Sequence, residues 1–369
     1  MNLKLKNIVI VSSEFPPQPG GIGKHAYHLA MALQNEGFQI TVVTDQQSDN
    51  GEAEVGFDKH LSFNVKRVHN RTLRFWMYID RFIKVFHELK TADYVVASGK
   101  FSLWVVTFCT LFRKRFSLAV VHGTEVNLTS KVYKKLVELS LKRFDKVVAV
   151  SNFTKQLISH LNIDIYVIPN GIFLTDWQDN EASFKGNKLE GTPKLITVGR
   201  VSERKGQAEV VALLPELLEQ YPELHYHCVG IDTESASIKE KAKSLGVEGH
   251  INFHGIVGHN VLKHYLKQSD IFIMLSKSSV DGDVEGFGIA ILEANAMAIP
   301  AIGAFGSGVE DAIVEGQSGH LVPLGDAKAI TDAIRRIIDN KQHYKQGAIR
   351  WAEAHDWNHI AKHYIALLP

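Results

Sequence analysis

The sequence lacks most of what would mark a secreted, membrane-spanning or nucleic-acid-binding chain. Its 369 residues include only two cysteines, Cys109 and Cys228. Both sit in apolar runs in opposite halves, so neither a disulfide framework nor a zinc site is expected, and a reducing compartment fits. Neither sign of charge is in excess: 41 Lys and Arg stand against 40 Asp and Glu, which gives no electrostatic reason to expect nucleic acid as the main partner. Long apolar runs are also missing. The longest, near residues 104–112, is far too short to cross a bilayer. Residues 1–6 alternate Lys with Leu and lack the apolar core and cleavage site of a signal peptide. No internal repeat or low-complexity segment stands out. These absences leave a soluble, cytoplasmic protein, and the length predicts two domains of roughly 150–200 residues.

What the sequence does have is alternation. Asn7-Ile-Val-Ile-Val-Ser12 is a continuous β-branched run, the mark of a strand buried on both faces of a parallel sheet. Further short apolar runs at 39–44, 65–67, 93–98, 117–121, 146–151 and 165–168 are mostly separated by helix-length segments, which predicts a doubly wound α/β domain. Pro169-Asn-Gly171 breaks the pattern, and the polar stretch 176–193 is the expected boundary and hinge. A second set of apolar runs follows at 194–199, 224–230, 251–254, 271–275, 300–303 and 319–322. A last helix, from about 349 to 367, carries Trp351, Trp357, Ile360 and Tyr364 toward another element. Two α/β domains in tandem make the cleft between them the default active site.

Ligands in such sheets bind beyond the carboxyl ends of the strands, and the chemistry-bearing residues cluster there. Glu14 to Gly23 is rich in Pro and Gly and precedes a helix expected over 24–36. Its glycines, Gly21 and Gly23 among them, either let backbone amides approach a phosphate or sugar or simply connect strand to helix. His122, in His122-Gly-Thr-Glu125, is either a site residue or a loop hydrogen-bonding group. Ser151 is either a site residue or the N-cap of the next helix. In Arg200-Val-Ser-Glu-Arg-Lys205, Arg200 suits bidentate phosphate contact and Lys205 acts as a point charge, while Arg204 reads as a surface charge on a turn.

The most informative stretch is Asp283 to Asn295. Glu285 and Glu293 lie eight positions apart. A helix starting near Phe287 would present the amides of Phe287, Gly288 and Ile289 between them, suiting a ligand over ~10 Å long. Asp281-Gly-Asp283 reads as a loop feature rather than a metal site. Two basic helices, 71–90 and 131–143, have two readings. Either an apolar stripe faces the core with a solvated charged back, or the helices lie against an anionic membrane surface.

In order and spacing, Pro19-Gly-Gly-Ile-Gly23, His122-Gly-Thr-Glu125, Val150-Ser-Asn-Phe153, Ile168-Pro-Asn-Gly-Ile172, Val198-Gly-Arg-Val-Ser-Glu-Arg-Lys-Gly206 and the Glu285–Asn295 stretch resemble retaining glycosyltransferases of family 4. The resemblance implies the GT-B fold: a Rossmann-like acceptor-side domain over 1–170, a Rossmann-like donor domain over 171–349, and a C-terminal helix over 350–369 packing back on the first. It implies transfer of a hexose from GDP-mannose or a UDP-sugar to a hydroxyl of a glycan, lipid-linked or small-molecule acceptor, in bacterial polysaccharide or glycolipid synthesis, with no cofactor and no essential metal.

By the same resemblance, Arg200 and Lys205 bind the donor diphosphate. Glu293 holds the ribose, while Glu285 with the amides of Phe287, Gly288 and Ile289 grips the sugar. His122 orients the sugar near the anomeric carbon, Gly21 and Gly23 approach donor phosphate and acceptor, and Ser151 belongs to the donor side. Peripheral contact with the inner face of a membrane is the expectation attached to the basic helices. The alternatives are a nucleotide-sugar epimerase or phosphorylase of the same fold, or a non-catalytic nucleotide-sugar-binding subunit. Asn295 and the loop Ala304-Phe-Gly-Ser-Gly308 depart from the commoner family pattern.

Overall fold

The alternating runs become two separate parallel sheets. A computed structural model of the chain describes residues 5–70, 74–177, 188–279 and 281–369. The chain divides into two compact units, one of Met1–Gly171 with Trp357–Pro369, the other of Ile172–Asp356. Most of the stretch expected to be a hinge, residues 178–187, lies outside the described residues, as do residues 71–73 of the first basic helix.

In the first unit the strands are β1 (Asn7–Ser12), β2 (Gln39–Asp45), β3 (Asn64–Val68), β4 (Tyr94–Ser98), β5 (Phe116–Val121), β6 (Lys146–Ala149) and β7 (Ile165–Val167). Their order is β3-β2-β1-β4-β5-β6-β7, every pairing parallel. Helices on both faces explain the continuous apolar runs: Ile8, Val9, Ile10 and Val11 are all buried, each contributing ~1.5–3 kcal/mol of transfer free energy. The order reverses between β1 and β4, whose last residues Ser12 and Ser98 pair in register. That reversal opens the crevice where such sheets take ligands.

The second unit repeats the plan with β8 (Lys194–Val198), β9 (His225–Val229), β10 (Ile251–Phe253), β11 (Ile271–Met274), β12 (Ala301–Ala304) and β13 (Gly319–Val322), in the order β10-β9-β8-β11-β12-β13. Its switch point falls between β8 and β11. The turn after β8 presses against the end of β11, where Gly206 has φ +77° and an added Cβ would lie 2.0 Å from the Leu275 carbonyl oxygen. Only glycine satisfies both demands.

The single helix expected near 349–367 is two helices, Lys341–Ala354 and Trp357–Ile365. The break arises because His355 and Asp356 bond to a distant part of the chain. The Ile172 N–H donates to the His355 carbonyl at 3.0 Å, and the Leu174 N–H donates to the Asp356 carboxylate at 3.0 Å. Trp351 therefore belongs to the second unit, its indole N–H donating to the Ala312 carbonyl at 2.8 Å. Trp357, Ile360 and Tyr364 are buried on the last helix, which packs on the Gly21–Asn35 helix of the first unit.

The expected core stripe of the Arg74–Glu88 helix is rotated. Arg81, read as lying off the stripe, is buried and donates through Nε to Asp45 Oδ1 at 3.0 Å. The row Arg81, Val85, Leu89 at four-residue spacing then faces inward, while Phe75, Tyr78 and Ile83 are exposed. This helix packs on Lys100–Phe112, and that one on Lys131–Leu141. Both continue the exposed apolar surface, with Phe108, Leu111 and Phe112 on one and Val132, Tyr133, Leu136 and Leu139 on the other. Among the described residues no helix is long and apolar enough to cross a membrane.

Candidate active site

In the second unit the turn after β8 is a single 3₁₀ turn, Glu203–Lys205, and it sets Arg204 and Lys205 beside each other. Both reach Glu285. Lys205 Nζ lies 2.7 Å from Glu285 Oε2, and Arg204 Nη1 donates to the same oxygen. Arg204 Nε is also 2.9 Å from Asp283 Oδ2. Burial pushes the Glu285 carboxyl upward, but Lys205 and Arg204 outweigh it, and the group titrates below its ordinary range. Lys277 neutralises the neighbouring acids of the turn, at 2.7 Å from Glu209 and 3.4 Å from Glu203.

Arg204, expected as a surface charge on the turn, is thus the second cation on Glu285. Arg200 is exposed, and its carbonyl accepts a hydrogen bond from Gln207 at 3.1 Å. The tight turn ending at Gly206 is the sequence signal that marks Arg204.

The helix expected to start near Phe287 starts at Ile289. Gly288 has φ +94°, which a right-handed helix cannot include, so Phe287 stands outside it with its ring buried against His355, centroids 6.0 Å apart. The helix's own first-turn amides therefore begin with its N-cap, Gly288. Glu293 is buried on this helix. Asp283 is drawn into the Arg204 pair, and its N–H bonds to Ser279 Oγ at 3.0 Å. Both departures from the family pattern have structural uses. Asn295 is fully buried and donates to the Ile299 carbonyl at 2.8 Å, closing the helix end. Gly308 donates its N–H to the Glu285 carbonyl at 2.8 Å, and an added Cβ would lie 2.1 Å from the Gly286 oxygen.

In the first unit His122 follows β5. Its Nε2 lies 2.8 Å from Ser98 Oγ at the end of β4, and its backbone N–H donates to Glu125 Oε1 at 2.7 Å. The His25 ring packs edge-on against it, centroids 4.8 Å apart, and His25 Nε2 is 3.0 Å from the Tyr364 hydroxyl on the last helix. Burial lowers the His122 pKa to about 3, and burial with the neighbouring His122 and His28 lowers that of His25 well below its usual value. Both rings are neutral near pH 7. Burial raises the Glu125 carboxyl to about 7, the His122 N–H opposing this.

Gly21 and Gly23 lie in the first turn of a helix that starts at Gly21, not in a loop before Lys24. Glycine permits this because Gly23 sits against the chain, where an added Cβ would come 3.0 Å from the Phe15 nitrogen. Ser151 is the N-cap. Its hydroxyl, fully buried, accepts from the Thr154 N–H at 2.9 Å and donates to Thr154 Oγ1 at 3.0 Å.

Residues 178–352 match the family model for glycosyl transferases group 1, and residues 19–175 match that for glycosyltransferase family 4. A phosphatidyl-myo-inositol mannosyltransferase of Mycobacterium leprae (strain TN) is 24% identical over 93% of this chain and 91% of its own. The amylovoran biosynthesis glycosyltransferase AmsK of Erwinia amylovora is 29% identical over 39% of this chain, a match that spans only 35% of that enzyme. Among solved structures, Anabaena Alr3699/HepE in complex with UDP and glucose superposes with a TM-score of 0.79 at 16% identity, covering 98% of this chain and 99% of that one. At that identity the likeness concerns the fold.

Proposed function

The chain belongs to glycosyltransferase family 4, of the group 1 type, with the GT-B fold of two Rossmann-like units, and from that premise we propose what it transfers and how. The donor is a nucleoside-diphosphate hexose, GDP-mannose or a UDP-sugar. The acceptor is a hydroxyl of a glycan, lipid-linked or small-molecule substrate in polysaccharide or glycolipid synthesis. The anomeric configuration is retained, and no metal is essential.

The observation that carries this reading is the Glu285 carboxylate bracketed by Lys205 and Arg204 at the strand ends of the second unit. A diphosphate arriving there competes for both cations. As they turn to it they neutralise the charge that grows on the leaving group, the interaction that strengthens in the transition state. Glu285, relieved of its partners, accepts from sugar hydroxyls, and Glu293 accepts from the ribose. His122, neutral, orients the sugar by hydrogen bonding. The bond from the anomeric carbon to the diphosphate oxygen breaks as the bond to the acceptor oxygen forms on the same face, and the acceptor proton passes to the departing phosphate.

The donor choices rest on likeness. The Mycobacterium relative is named for mannosyl transfer to a phosphatidylinositol, and the Anabaena neighbour holds UDP and glucose. The exposed apolar side chains on Arg74–Glu88, Lys100–Phe112 and Lys131–Leu141, interleaved with Lys131, Lys135 and Arg113, support peripheral contact with an anionic membrane surface at the cytoplasmic face.

A panel of nucleotide sugars, screened by thermal shift and then by transfer to polyprenyl, inositol-lipid and oligosaccharide acceptors, tests the reading. One donor should raise the melting temperature and be consumed only with acceptor. Release of free nucleoside diphosphate without acceptor would favour the epimerase, and no stabilisation by any donor would overturn the assignment.

A further inference from the structure

At the end of the first sheet opposite Ser98 and His122 lies an open cavity of about 580 Å³, at the amino-terminal ends of the central strands β1, β4 and β5. Its walls include Asn7, Lys90, Asp93, Lys114, Arg115 and Phe116. Three cations face it against one carboxylate, and that carboxylate is already engaged: Asp93 Oδ2 accepts from the Asn7 N–H at 2.7 Å. Among the described residues neither the Lys90 nor the Lys114 ammonium has an ion-pair or hydrogen-bond partner. Arg115 ties the two walls together, donating through Nη1 to the Lys114 carbonyl at 2.8 Å and through Nη2 to the Lys90 carbonyl at 3.2 Å. Cations that face an open polar cavity, two of them without a partner, suit an anion.

The surroundings say which anion. The helix that ends at Phe112 runs straight into Arg113-Lys114-Arg115, and its last turns carry Phe108, Leu111 and Phe112 at 51%, 54% and 68% exposure. Apolar side chains that could enter acyl chains thus adjoin a basic cavity that could take a phosphate. We propose that this cavity binds the phosphate of an anionic lipid headgroup and so fixes how the first unit sits on a membrane. The inference rests on the peripheral contact proposed above and adds a discrete headgroup site to it.

The test is co-sedimentation of the full chain with vesicles of phosphatidylglycerol in phosphatidylcholine, comparing two double variants of equal charge. Lys90→Ala with Lys114→Ala removes the cavity cations. Lys131→Ala with Lys135→Ala removes two charges from the neighbouring exposed helix. All four are exposed lysines, and transfer to a soluble acceptor should be unchanged in both variants, reporting intact folding. The expected result is loss of roughly tenfold in vesicle affinity for the cavity pair and about threefold or less for the other, with glycerol phosphate releasing the wild-type protein. Equal losses in the two pairs would mean a diffuse surface field and would overturn the headgroup site while leaving membrane contact standing. Wild-type protein that ignores vesicles would overturn both. Binding of inorganic phosphate with no preference for phosphatidylglycerol over phosphatidylcholine would assign the cavity to free phosphate and overturn the lipid.

Discussion

The strand-end sites of the two units are built on opposite electrostatic principles. In the second unit a carboxylate is held ionised between Lys205 and Arg204, and its loop is pinned by glycines that touch backbone. In the first, His122 and His25 are buried and neutral, and Glu125 is raised toward neutrality. Charges that can be exchanged suit a ligand that arrives and leaves as an anion. Neutral hydrogen-bonding groups suit hydroxyls that must be oriented without being ionised. The contrast predicts that removing charge in the second unit affects leaving-group chemistry, whereas removing hydrogen bonds in the first affects orientation.

The largest expected effect comes from removing both cations. Arg204→Ala with Lys205→Ala should lower turnover by about 10²-fold or more with the fold intact, read from initial rates and circular dichroism; near-normal turnover would erase the contrast. Next is Gly206→Ala. At φ +77° and against the Leu275 carbonyl it should destabilise the second unit by roughly 1–3 kcal/mol, measured by calorimetry, and an unchanged melting profile would mean that the turn can shift.

Ser98→Ala should be milder. It removes one hydrogen bond to His122, about 1 kcal/mol, so turnover should drop severalfold with little change in donor KM, and the ¹⁵N shifts of the His122 ring should report a changed tautomer mixture. An unchanged ring spectrum would show that Ser98 does not orient it.

The smallest effect is in pH. His28 and His122, both lowered to about 3, bind more protons unfolded than folded below their ordinary pKa. Their contribution to stability is therefore full above about pH 6.5 and lost as pH falls toward 3, by at most ~1.4 kcal/mol per pH unit for each histidine. Glu125, raised to about 7, runs the other way: its contribution is full below its ordinary pKa near 4.5 and is lost as pH rises through 7. Denaturation curves from pH 7 to 5 should show the histidines prevailing in the wild type and a steeper loss in Glu125→Gln. A parallel slope in the two proteins would contradict the raised carboxyl.

The strands were legible because strands buried on both faces leave continuous apolar runs, and β1 shows this residue for residue. Helix starts were not. The Gly21–Asn35 helix begins earlier than read and the Ile289–Ala296 helix later, since whether a glycine takes φ +94°, as Gly288 does, depends on what packs around it. That Arg204 joins Lys205 on Glu285 was hidden for the same reason, being set by the tight turn that Gly206 ends. The face of the Arg74–Glu88 helix was set by Asp45, a residue remote in sequence that draws Arg81 inward.

The most direct measurement of the central claim is calorimetric titration of the donor's nucleoside diphosphate into wild type, Lys205→Ala and Glu285→Gln. If Lys205 is shared between Glu285 and the diphosphate, Lys205→Ala should weaken binding by at least about tenfold, ~1.4 kcal/mol, whereas Glu285→Gln should bind as tightly as wild type or more so. Wild-type affinity in Lys205→Ala, or weakened binding in Glu285→Gln alone, would contradict it.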